Sequence, residues 1–244
     1  MRINKYLSEC GVCSRREADR LIDQGRVTVN GLPAQAGMQA EGQDLVCVDG
    51  KEIRRPQDKV YLKFYKPRGI VCTFEQREKH NLLSCLQYPR RVTYAGRLDK
   101  ESEGLLLLTD DGDLIDGLMR ARNRHEKEYQ VTVDRPVSEE ALEGLRKGVF
   151  LRELGVKTRP CQVTRTGERS FRIILTQGLN RQIRRMCQSL GLQVVFLKRI
   201  RIVNLYLDSL KPGEYAPLTG EELDTLCERL KRNDSGNHIR KEKV

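Results

Sequence analysis

A proline set in a polar run, Arg54-Arg55-Pro56-Gln57-Asp58, interrupts this chain between two stretches of apolar periodicity. Proline lacks a backbone donor and biases the residue before it away from the helical region, so neither a long helix nor a central strand runs through this point. The chain therefore divides, and we place the boundary after residue 58. The sequence has 244 residues, so a small first domain is followed by one large enough to bury its own core, and a disulfide-stapled mini-protein is excluded. No stretch approaches the roughly 18 uninterrupted apolar residues of a membrane-spanning helix. The opening Met1-Arg2-Ile3-Asn4-Lys5-Tyr6 lacks the apolar run of a secretory signal, and a cytoplasmic location without membrane association is expected.

Charge separates the two parts further. Residues 1–58 carry nine basic and nine acidic side chains, so the net charge of +11 belongs entirely to the remainder. A field of that size favours a polyanionic partner such as nucleic acid. Trp is absent and aromatics make up only 5% of the chain, which disfavours a row of base-stacking platforms and leaves recognition to charge and shape. The eight cysteines read as reduced thiols. Cys10-Gly-Val-Cys13 has metal or redox spacing, but no second close pair supports it, and His80, His125 and His238 are scattered. No metal site is expected.

In the first part, Ser14-Arg15-Arg16-Glu17 has the form of a capping box, followed by an apolar stripe at Ala18, Leu21 and Ile22 and a stop at Gly25. Val27 to Val29 and Leu45 to Val48 read as strands, with Asn30-Gly31 and Asp49-Gly50 as tight turns. Two short helices feeding a small sheet are predicted, with Arg15, Arg16 and Arg20 displayed on the second helix. Charge composition is equally compatible with an ordinary solvated face.

The larger part is read as α+β. Strands are predicted at Val60–Tyr65, Ile70–Thr73, Gly104–Thr109, Tyr129–Val133, Phe171–Leu175, Val194–Lys198 and Ile200–Leu207. Helices are predicted at Asp113–Met119, Glu139–Lys147, Arg181–Leu190 and Glu221–Lys231, the last opened by a capping box at Thr219 to Glu222. The polar tail 233–244, with Arg240, Lys241 and Lys243, is predicted to be disordered.

Between Arg172 and Arg201 stand seven basic residues and no acidic one. The helix inside this stretch should bury Ile183, Cys187 and Leu190 and present Arg181, Arg184, Arg185 and Gln188. Without Glu at i±4, these guanidiniums need a ligand or a distant carboxylate as counter-charge. The candidate carboxylate is Asp99, in the polar loop Ala95 to Gly104 that runs into Leu105-Leu106-Leu107-Leu108. Loops anchored by a buried strand are where reactive groups are commonly placed, although acids are also common in turns.

Gly96-Arg97-Leu98-Asp99, with Ser102-Glu103-Gly104 to Thr109 and Asp111-Gly112, resembles the signature of the RsuA-type pseudouridine synthases. Three further segments extend the likeness in the same order: Tyr65-Lys66-Pro67-Arg68-Gly69, Lys127-Glu128-Tyr129, and Gly178 to Met186. The amino-terminal part is similar to the S4 RNA-binding domain. His125 to Val133 and Arg185-Met186-Cys187 most resemble the RluF group, which acts on large-subunit rRNA.

The resemblance implies an S4-like domain with linker at 1–58 and a mixed-sheet catalytic domain with flanking helices at 59–232. It implies isomerisation of uridine to pseudouridine without a cofactor, in 23S rRNA, with a tRNA as a further candidate substrate, by a monomer. Asp99 takes the place of the essential aspartate, Arg184 that of its arginine partner, and Tyr129 that of the tyrosine stacked on the base. Arg97 is assigned to base flipping. Ile183 is assigned to the base pocket, with ordinary packing an equal alternative. Arg15, Arg16, Arg20, Lys66, Lys127, Arg181 and Arg185 are assigned to RNA contacts. A silent rRNA-binding assembly factor is the rival reading, but it needs no particular carboxylate. A glycoside hydrolase would need a spaced acid pair, and Asp110, Asp111 and Asp113 lack a full calcium-loop pattern.

Overall fold

The computed structural model describes residues 1–75, 77–120 and 124–235, the last four by backbone alone. It divides into two units: Met1–Val60 with the stretches Tyr88–Thr93 and Thr109–Gly112, and the remaining described residues.

In the first unit, helices α1 (Ile3–Glu9) and α2 (Arg15–Asp23) share one apolar core with a four-stranded sheet. The strands are β1 (Val27–Val29), β2 (Leu32–Pro33), β3 (Val46–Val48) and β4 (Lys51–Ile53), in the order β2-β1-β3-β4. Ser14 Oγ accepts the Glu17 amide at 3.2 Å and caps α2, while the Glu17 carboxylate turns to Arg20 at 3.0 Å rather than closing the box. Asn30-Gly31 and Asp49-Gly50 all have positive φ, as two-residue hairpin turns require. The polar run around Pro56 is tied down by charge. The buried Glu9 carboxylate pairs with Arg55 and, at 3.4 Å, with Lys59.

The chain continues through β5 (Tyr61–Lys66), β6 (Thr93–Ala95), β7 (Glu103–Thr109), α3 (Gly112–Met119), β8 (Lys127–Val133) and α4 (Glu139–Lys147). A short hairpin, β9 (Phe150–Leu151) and β10 (Val156–Lys157), leads to β11 (Gln162–Gly167), β12 (Ser170–Leu175), α5 (Gln182–Ser189) and β13 (Val194–Ile202). Strands β14 (Leu205–Tyr206) and β15 (Tyr215–Pro217) and helix α6 (Gly220–Ser235) follow. The large sheet has the order β11-β12-β8-β13-β7-β5-β15, with β14 added to β13 and β6 to β7. Strand β13 runs parallel to β7 and antiparallel to β8, so the sheet is mixed and the unit is α+β. Helices α4 and α5 bury Leu142, Leu145, Ile183, Met186 and Cys187 with Val131, Phe171 and Ile173. Helices α3 and α6 bury Leu114, Leu118 and Leu226 with Leu105, Leu107 and Ile202.

Several expected elements are corrected. Ile70–Thr73 forms no strand: Val71 makes an isolated bridge to Asn81. The two strands expected at Val194–Lys198 and Ile200–Leu207 are one long strand whose register shifts between Arg199 and Arg201, followed by a turn at Val203-Asn204 and the short β14. Val203 takes φ +55 there, a turn conformation that its side chain does not advertise. Strands β6, β9, β10, β11 and β15 had no signal, being short or rich in polar residues. Helix α6 runs to Ser235, into the segment expected to be disordered; residues 236–244 lie outside the described residues.

One glycine fixes how the sheet meets the site loop. Gly104, at φ +108, pairs with Arg199, and a Cβ there would lie 2.2 Å from the Arg199 carbonyl oxygen. Gly104→Ala is therefore expected to cost about 3 kcal/mol. A urea midpoint equal to that of the parent would show that β7 and β13 can separate at this point.

Candidate active site

The loop Gly96–Ser102 carries Asp99, and it is held by its own backbone carbonyls. Arg199 Nη1 donates to the Arg97 oxygen at 3.4 Å. The Gly69 amide donates to the Lys100 oxygen at 2.7 Å. Arg184 Nη2 donates to the Glu101 oxygen at 2.9 Å, and Lys66 Nζ to the Ser102 oxygen at 2.7 Å. The loop closes on itself through the Ser102 amide and the Asp99 oxygen at 3.0 Å. Cations from β5, α5 and β13 thus fix the backbone on both sides of Asp99, while its side chain stays 30% exposed.

Among the described residues, Arg184 is the cation that comes within 4.0 Å of that carboxylate. Its Nε lies 4.0 Å from Asp99 Oδ2, while Nη1 donates to the Val194 oxygen at 3.1 Å and Nη2 also reaches Ser102 Oγ at 3.3 Å. The guanidinium is oriented mainly by neutral acceptors and offers its remaining edge to Asp99. Burial, followed by the neighbouring Arg181, holds its pKa below the usual arginine value, and Asp99 opposes that shift.

A cavity of about 470 Å³ opens beside this pair. Arg97, Asp99, Lys127, Tyr129, Ile183 and Arg199 are among its lining residues. Lys127 and Tyr129 stand two apart on β8 and so project to the same side of the sheet. Tyr129 pairs in register with Ile173 on one side and Arg199 on the other. The Lys127 ammonium is pulled from 10.5 down to about 8, first by burial and then by the charge of Arg199. Arg97 is exposed at the rim. Ile183 is 4% exposed and does two things at once, lining the cavity and packing in the core around α5.

The other expected contacts part company. Lys66 is 0% exposed and donates to the Pro67 and Ser102 oxygens, both at 2.7 Å. It is corrected from an RNA contact to a support of the aspartate loop. Arg185 is likewise turned inward, donating to the Asn180 oxygen at 3.0 Å and pairing with Glu153. Arg181 is exposed, and among the described residues its guanidinium has no ion-pair or hydrogen-bond partner. Arg15, Arg16 and Arg20 are exposed on α2, in the other unit, with Arg20 paired to Glu17. The arginine-rich run therefore finds its acids far away in sequence. Arg201 pairs with Glu126 at 3.0 Å and Glu128 at 2.9 Å. The supporting roles of Lys66, Ser102 and Arg199 had no sequence signal, because a buried cation bonded to carbonyls looks like any other basic residue.

Among the described residues, no three His, Cys, Asp or Glu side chains converge to hold a metal ion. Asp110 is engaged by Arg90 at 2.7 Å and the Val60 amide at 2.9 Å. Burial raises the Cys10 thiol to about 11 and also raises Cys13, the reverse of a reactive pair.

A mixed sheet thus presents a loop aspartate and a strand tyrosine on the wall of one cavity, with a largely buried arginine beside the aspartate. The chain belongs to the RNA pseudouridylate synthase family, which matches residues 60–189, and residues 1–46 match the S4 domain. It is 46% identical over 237 residues to the dual-specificity RNA pseudouridine synthase RluF of Escherichia coli strain K12, covering 96% of this chain and 81% of that protein. It is 38% identical over 242 residues to an uncharacterized RNA pseudouridine synthase of Aquifex aeolicus, covering 96% of this chain and 99% of that one. The crystal structure of a pseudouridylate synthase, 30% identical, superposes with a TM-score of 0.69 over 93% of this chain and 99% of the other. The protein is an RNA pseudouridine synthase, an isomerase.

Two outcomes are expected from the site's electrostatics. Arg184→Ala leaves the Val194 and Glu101 oxygens without their donor and is expected to lower stability by about 3 kcal/mol; an unchanged thermal midpoint would show that the clamp contributes nothing. Lys127 loses its charge near pH 8 in the folded protein but only near 10.5 when unfolded. The unfolded chain therefore binds more protons in that window, and this group makes stability rise with pH across it. Lys127→Met should abolish that part of the rise in urea titrations between pH 8 and 10.

Proposed function

We propose that the protein isomerises one uridine in folded RNA of the large ribosomal subunit, the 23S rRNA, with Asp99 as the essential group. The observation that carries this reading is the Asp99 carboxylate, 4.0 Å from Arg184 and on the wall of a cavity that Tyr129 also lines. The reaction breaks the N1–C1′ bond, turns the uracil, and joins C5 to C1′; C5 gives up a proton and N1 gains one. Asp99 assists the first bond cleavage, at the sugar or at the base. Tyr129 lies against the uracil and assists removal of the C5 proton. Arg184 orients the carboxylate and Ile183 closes the apolar side of the cavity.

A uridine stacked in a helix shows neither C1′ nor C5 to this cavity, so the target is everted at a cost of a few kcal/mol. Arg97, exposed at the rim, occupies the space it leaves. The +11 charge supplies salt-sensitive affinity. Residues 1–58, through Arg15, Arg16 and Arg20, choose the site, and residues 59–232 perform the chemistry. The protein acts in the cytoplasm as a monomer and without a cofactor. The dual-specificity name of its Escherichia coli relative makes a tRNA the second RNA to examine.

Mapping of pseudouridine in rRNA and tRNA incubated with the purified protein tests this reading. Asp99→Asn should abolish the product while leaving RNA affinity within about threefold, since no net attraction to phosphate is lost. Product at the parental rate would remove Asp99 from the reaction. Replacing Arg15, Arg16 and Arg20 together by Ala should weaken selectivity among uridines more than the turnover of the preferred one. Unchanged selectivity would place site choice outside α2.

A further inference from the structure

A second cavity of about 470 Å³ lies beside the first, and Arg181 lines both. Its other walls include Arg135, Arg184, Gln188 and the buried Leu192 and Val194. Nothing in the chemistry of the isomerisation uses it.

The charges in its walls are unequally satisfied. Arg135 donates through Nε at 2.9 Å and Nη2 at 2.7 Å to one oxygen of Asp134, and the other Asp134 oxygen accepts the Gln193 amide at 2.8 Å. That guanidinium is paired while its side chain stays 64% exposed. Arg184 spends its donors on the aspartate loop and Val194. Arg181 is left over. Its charge is close enough to oppose that of Arg184, and no described carboxylate answers it. Its backbone is also held at φ +51, ψ +34, immediately ahead of α5. A non-glycine residue in that region is uncommon, and the conformation fixes where the side chain departs from the chain.

We propose that this second cavity seats the nucleotide adjacent to the target uridine, and that Arg181 grips the phosphodiester joining the two. The inference rests on the isomerase reading above. An everted uridine remains covalently bound to its neighbours through a phosphate on each side, and Arg181, which lines both cavities, is placed to meet one of them. Arg181 supplies a fork of donors for phosphate oxygens there. The exposed guanidinium of Arg135 offers a planar surface on which a base stacks, and the Gln188 amide can pair with a base edge. Specificity for the residue next to the target would then be read in the catalytic domain, separately from any contact made by α2.

The test uses the full-length protein and an RNA hairpin in which the parental protein makes pseudouridine. Neutral methylphosphonates replace, one at a time, the phosphates on the two sides of the target. At one of the two positions the replacement should lower kcat/KM about 10-fold or more for the parental protein, as loss of a charge-assisted hydrogen bond would. For Arg181→Gly the same replacement should cost little further, and the salt dependence of binding should be shallower by about one phosphate contact. Glycine accepts this backbone conformation, so the variant's thermal midpoint should be no lower than the parental one, which separates a binding loss from a folding loss. Arg135→Ala should remove the penalty of making the adjacent residue abasic. Equal penalties in parent and Arg181→Gly at both positions, or a parental kcat/KM in Arg181→Gly, would overturn the assignment of this cavity and leave the isomerase reading intact. Failure of the parental protein to modify any rRNA or tRNA would overturn both.

Discussion

Capture of the aspartate loop by its own carbonyl oxygens is the interaction on which this structure depends. A short polar loop has no intrinsic reason to hold one shape, and its backbone acceptors would otherwise be satisfied by water. Here Lys66, Arg184 and Arg199 arrive from three separate elements and bind the oxygens of Ser102, Glu101 and Arg97. The cations are buried or nearly so, where a hydrogen bond to a charge is strong and an unpaired charge is costly. The loop, the strand end of β5, helix α5 and strand β13 consequently form together. Asp99 is left as the polar side chain that this framework presents, aimed into a cavity with Tyr129.

This changes the meaning of the positive charge. A run of seven basic residues without an acid looks like a nucleic-acid surface, but much of it is committed within the fold. Arg199 and Arg201 are structural, Arg185 is paired with Glu153, and Arg184 belongs to the loop clamp. Of the run, Arg181 is the member left exposed on the cavity walls, where Arg97, Lys100, Arg120 and Arg135 are exposed as well. The exposed positive surface and the construction of the site therefore draw on the same residue type, divided by burial rather than by identity.

The legible features were those with local causes. Ser14, Asn30-Gly31 and Asp49-Gly50 announced helix and turns through hydrogen-bonding and backbone preferences confined to a few neighbours. The apolar run Leu105–Leu108 and the stripe at Ile183 and Cys187 announced burial. The turn at Val203-Asn204 was illegible because its conformation is imposed by the pairing of β13 with β14 and not by its residues. The polar strand β11 was illegible because only Val163 of its side chains is buried. The partner of Arg185 was illegible for the same kind of reason, since its carboxylate lies 32 positions away in the sequence.

By itself the sequence determined that its second part is basic and α+β, and that Asp99, Tyr129 and Arg184 stand in motifs that resemble those of one enzyme family. These follow from periodicity, composition and short-range chemistry. Only the tertiary structure decided that Lys66 faces inward, that Arg184 lies beside Asp99, and that Arg181 lines both cavities. Each of those depends on which distant acceptor a long cationic side chain meets, and that is settled by how β5, α5 and β13 are brought together around the loop.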